Sequence, residues 1–67
     1  MKMKEKIGSD AGRVWNILNE KGTKSVKELK RLAKLTDKEI YAVIGWLARE
    51  EKLAFGEKED DIYLSLI

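Results

Sequence analysis

Residues 25–53, SVKELKRLAKLTDKEIYAVIGWLAREEKL, contain two helix starts in close succession. Ser25-Val26-Lys27-Glu28 and Thr36-Asp37-Lys38-Glu39 each set a hydroxyl three residues before a glutamate. That is the spacing of a capping box, in which the hydroxyl and the carboxylate each accept a backbone N–H that the first helical turn leaves unpaired. After Ser25 the apolar positions Val26, Leu29, Leu32 and Ala33 share one helical face, while Lys27, Lys30, Arg31 and Lys34 form the opposite stripe. After Thr36, the positions Ile40, Val43, Ile44 and Leu47 mark the buried face of the longest helix. Only Lys34 and Leu35 lie between the two segments, so the helices must cross at a steep angle through a tight turn.

Upstream, Ser9 and Asp10 read as a cap and an acid at the positive end of a helix dipole. Ala11, Val14, Trp15 and Leu18 follow at helical spacing, and Gly22 supplies the stop. The spacing therefore predicts a first helix from Ser9 to Gly22, then a short extended piece at Thr23 and Lys24. Downstream of Lys52 the period changes to two. Leu53 and Phe55 point one way, Gly56 to Asp61 reads as a polar turn, and Ile62, Leu64 and Leu66 alternate with Tyr63, Ser65 and Ile67, which predicts a hairpin.

The 67 residues suffice for one domain, 1–67, with a modest core. There is no cysteine and no histidine, which removes disulfides, thiolate metal sites and the commonest general base. Ser9, Ser25 and Thr36 are accounted for as caps, and Glu57, Glu59, Asp60 and Asp61 lack the ligand spacing of a calcium loop. We therefore expect no enzyme, no metal and no cofactor. No apolar run approaches the roughly 20 residues of a membrane span, and Met1 to Lys6 lacks the apolar segment of a signal peptide, so no membrane partner is expected. The lack of cysteine suits a cytoplasmic setting. The net charge of +2 is unevenly spread: residues 23–35 carry +4, residues 53–67 carry −3.

Helix, short extended piece, helix, turn, helix and hairpin is the order of the winged helix-turn-helix fold, an α+β class with three helices followed by a C-terminal β-hairpin wing. Ser25 to Leu29, Leu35-Thr36, Ile40, Ile44, Leu47 and Arg49 to Leu53 resemble its pattern in prokaryotic regulators. More narrowly, Gly12-Arg13-Val14-Trp15 together with Gly45-Trp46-Leu47-Ala48-Arg49-Glu50 is similar to a family of small, mostly uncharacterised prokaryotic winged-helix proteins of about this length. One departure is Lys34, where many helix-turn-helix proteins have glycine.

The resemblance implies a DNA-binding, transcription-associated role, with the third helix entering the major groove by its N-terminal residues and the wing approaching the backbone. For double-stranded DNA, the candidate contacts are Lys27, Lys30, Arg31 and Lys34 on the second helix with Lys38 and Tyr41 on the third, joined by Lys2, Lys4 and Lys6. Asp37, Glu39 and the acidic wing oppose this. The alternative is a protein-interaction module or homodimer that uses the third helix and hairpin, with Tyr41, Ala42, Gly45, Trp46 and Arg49 as the protein interface. Trp15 reads as a core residue, whereas Trp46 either caps the core or joins that interface. Gly45 inside a helix costs roughly 1 kcal/mol relative to alanine, and close approach of another backbone is the expected reason.

Overall fold

A computed structural model of the chain describes the backbone of residues 2–67 and the side chains of residues 5–67. The elements run α1 (Lys2–Lys21), β1 (Lys24–Ser25), α2 (Val26–Ala33), α3 (Asp37–Arg49), β2 (Leu53–Lys58) and β3 (Asp61–Leu66). The three strands form one antiparallel sheet in the order β1-β3-β2. Its register places Lys24 opposite Leu64 and Ser25 opposite Tyr63 on one side of β3, and Leu53 opposite Leu66 and Phe55 opposite Leu64 on the other. This is the α+β winged helix that the residue order predicts.

The core is where the apolar stripes of all three helices meet the base of the sheet: Ala11, Val14 and Leu18 from α1, Leu29 and Ala33 from α2, Ile40, Val43 and Leu47 from α3, with Leu53 and Leu64 from the hairpin. Trp15, Ile44 and Trp46 are half-buried and pack against its edge. Both capping boxes form. The Glu28 N–H donates to Ser25 Oγ at 3.1 Å and the Ser25 N–H to Glu28 Oε1 at 3.3 Å. Their counterparts at Thr36 and Glu39 measure 3.2 and 2.9 Å.

The turn between α2 and α3 keeps the conformation that glycine would favour. Lys34 has φ 57°, the Lys34 N–H donates to the Arg31 carbonyl at 3.3 Å, and the Leu35 N–H donates to that of Lys30 at 2.9 Å. These two bonds make a Schellman closure, and they bury Leu35 in the angle between the helices. A second closure ends α3, with Glu51 at φ 57° and bonds to the Ala48 and Leu47 carbonyls, both 3.0 Å. Gly22, at φ 78°, ends α1 with a single bond to Leu18.

Two expectations are corrected. The first helix begins at Lys2, not at Ser9, and Ser9 is an exposed mid-helix residue. Its apolar stripe reaches back one turn to Ile7, and buried Asp10 is held along the helix by Lys6 at 2.7 Å and Arg13 at 3.0 Å. Packing of this added length against α3 outweighs the cost of Gly8 inside a helix. The wing turn is also shorter than Gly56 to Asp61: only Glu59 and Asp60 separate the strands, both left-handed at φ 51° and 64°. That is the two-residue geometry whose twist suits a hairpin. The strand signal over 56–58 is weak because this part of the wing projects past the body and neither face is buried.

Candidate nucleic-acid and protein interface

The exposed side of α3 is an arc bounded by Tyr41 on the wing side and Trp46 on the α1 side. Lys38, Tyr41, Gly45 and Arg49 are its exposed outer stripe. Ala42 and Trp46 are half-buried at the α1 edge, where Trp46 lines a groove with Gly8, Gly12 and Trp15 and Ala42 lines another with Ile7 and Thr36. So Trp46 covers the core while showing part of its ring. Gly45 has open space where a Cβ would sit, so within one chain no backbone approaches it. Gly45→Ala should therefore raise stability by about 1 kcal/mol. Thermal denaturation that gave a lower Tm for the variant would show that a contact absent from the single chain needs the glycine.

The two acids at the start of α3 are both tied to lysines. Lys30 Nζ lies 2.6 Å from Asp37 Oδ1, joining α2 to α3, and Lys6 Nζ lies 2.7 Å from Glu39 Oε2, joining α1 to α3. Lys30 and Lys6, both candidate phosphate contacts, thus serve as interhelix clamps in the free protein. Lys27, Arg31, Lys34 and Lys38 are exposed and in no ion pair among the described residues. The Lys2 and Lys4 side chains lie outside the described residues. The spacing of seven across a tight turn is a faint sequence signal for Lys30 and Asp37; nothing in the sequence links Lys6 to Glu39.

Hydrogen bonding to the Lys6 ammonium, reinforced by the Thr36 donors, lowers the Glu39 carboxyl from about 4.5 to about 2. The Lys6 ammonium is raised above its usual 10.5, first by Asp10 and then by Glu39. A carboxylate whose folded pKa is depressed contributes stability above its unfolded pKa and loses it as pH falls through the folded one. The urea midpoint should therefore fall as pH is lowered from about 4.5 towards 2, and Glu39→Gln should flatten that part of the profile. An unchanged profile in the variant would remove Glu39 as its source.

The wing is the feature that sequence reasoning placed least well. Phe55 does share a face with Leu53, but it is 54% exposed, and Ile62 is 40% exposed. With Tyr41, 58% exposed, they border two adjoining grooves that meet at Ile62. The larger, about 390 Å³, has Lys27 and Lys30 of α2 on one side and Asp60 and Asp61 of the wing on the other. Alternating apolar residues past the point where the helices end were the available signal. Among the described residues there is no group of side chains suited to a metal ion and no helix long and apolar enough to cross a membrane.

Two crossed helices behind a basic stripe, with a hairpin beside the second of them, define a winged helix-turn-helix domain. The chain belongs to the family described as "Winged helix-turn-helix domain (DUF2582)", whose model matches residues 1–66. It is similar to protein BT2368 from Bacteroides thetaiotaomicron, known from a solution NMR structure, at 36% identity and a TM-score of 0.83 over 94% of this chain and 77% of that one. No curated protein matches the chain.

Proposed function

We propose that the protein is a cytoplasmic, non-enzymatic DNA-binding domain of the transcription-associated type, which holds double-stranded DNA weakly through α2 and the outer stripe of α3. The observation that supports this most is the pairing of Asp37 with Lys30 and of Glu39 with Lys6, which answers the negative charge at the start of α3 from within the fold. Lys38, Tyr41 and Arg49 are then exposed, as are Lys27, Arg31 and Lys34, and Tyr41 and Lys27 line one groove. Lysine and arginine supply phosphate affinity and base-edge donors, and Gly45 lets the helix lie close to a groove floor. The wing carries four acids and one lysine from Glu57 to Asp61, so it stands away from phosphate.

Amide shift mapping with a random duplex at low salt tests the reading. Perturbations should cluster on residues 27–34 and 38–49, and the wing tip at 57–61 should stay silent. No shifts at low salt, or shifts confined to the wing, would overturn it.

A further inference from the structure

The groove between α2 and the wing shares Lys27 and Tyr41 with the proposed DNA surface, but its acidic bank and apolar middle are not explained by phosphate contact. Its middle is apolar, with Val26, Tyr41 and Ile62. One bank is positive on balance: Lys30 is paired with Asp37, which also lines the groove, while Lys27 is exposed and Arg31 and Lys34 continue the same helical stripe. The other bank is negative, with Asp60 and Asp61 at the groove and Glu57 and Glu59 on the same hairpin. No ion pair links the two banks among the described residues. A patch with a positive side, an apolar middle and a negative side is its own complement under a two-fold rotation about the middle. Such a rotation sets the partner's wing over α2 and the partner's α2 over the wing, and it lays the two apolar strips together. Closed two-fold contacts of this isologous kind are the commonest in soluble oligomers.

We infer that this groove is a homodimer interface and that its occupant is a second copy of the chain, seated with each acidic wing on the other's basic α2. Among the described residues, three of the four most exposed large apolar side chains, Tyr41, Phe55 and Ile62, lie along this strip, and a second copy would cover them. The interface differs from one centred on Gly45 and Trp46, because it lies on the wing side of α3. It also covers Lys27 and Tyr41. On the DNA reading proposed above, which this consequence alone rests on, dimer and duplex compete for one surface.

Charge reversal tests the contact on the full chain. Lys27→Glu with Arg31→Glu makes both banks negative, and Asp60→Lys with Glu59→Lys makes both positive, all at exposed positions. Light scattering after size exclusion at about 200 µM and low salt should find wild type at twice 7.7 kDa and each variant alone as a monomer. An equimolar mixture of the two variants should return to the dimer mass, since each contact then pairs opposite charges. Circular dichroism confirms that each variant is folded; one that is not is replaced by Lys27→Glu or Asp60→Lys alone. The inference is overturned by a monomeric wild type, by a dimer that both variants retain, by open-ended oligomers, or by folded variants that fail to combine. The competition has a separate readout. A dimer that persists with duplex bound would leave the interface standing and remove only the competition, and a dimer with no DNA binding at all would end the DNA reading alone.

Discussion

Leu29→Ala is expected to cost about 2 to 5 kcal/mol of folding stability, the range for emptying a fully packed leucine site. Leu29 is fully buried on α2, where that helix meets α1 and β3. At roughly 0.05–0.15 kcal/mol per residue, a chain of this length has on the order of 3 to 10 kcal/mol in all, so the variant stands at the edge of folding. α2 has eight residues and cannot persist as an isolated helix, which leaves tertiary contact as its support. By contrast, Asp60→Asn at the exposed wing turn should fall within about 0.5 kcal/mol of wild type, since asparagine tolerates the left-handed backbone that Asp60 adopts at φ 64°. Urea denaturation that ranked the two substitutions equally would refute the core described above.

The second large effect concerns salt. If Lys27, Arg31, Lys34 and Lys38 each neutralise one phosphate, log K should fall with log salt with a slope of about −3.6, so that going from 50 to 200 mM weakens binding roughly 10²-fold. Replacing all four by glutamine should bring the slope towards zero and leave little affinity at any salt. Fluorescence anisotropy on a labelled duplex measures both slopes. A quadruple variant with the wild-type slope would mean that other cations, Arg49 or those of residues 1–6, carry the contact.

The element order and most of the core were legible from capping boxes and period, because those signals are local and each is repeated within a few residues. Legibility failed where a distant partner decided the outcome. Ser9 has the chemistry of a cap, yet the helix runs through it, since Ile7 and Lys6 find partners on α3 that no local pattern reveals. Lys30 looked like one more phosphate contact in a stripe, and its engagement with Asp37 depends on the crossing angle of two helices. Lys34 kept the turn in spite of its side chain, because two backbone bonds and the burial of Leu35 hold it there. The basic stripe on α2 and the acidic wing were each visible as runs of charge. That they face each other across one groove required the fold.

Ser25 belongs to two structures at once. Its backbone pairs with Tyr63 in the sheet, and its hydroxyl caps α2. Opening of β1 therefore withdraws the cap from the helix as well as an edge from the sheet, although the two are joined by a single residue. For hydrogen exchange, this means that the first turn of α2 and the middle of β3 behave as one opening unit, with matched protection free energies. The wing tip beyond Glu57 lies outside that unit and exchanges on its own. A domain of this size thus has one edge of its sheet and the start of its second helix tied into a shared opening event, with the acidic tip outside it.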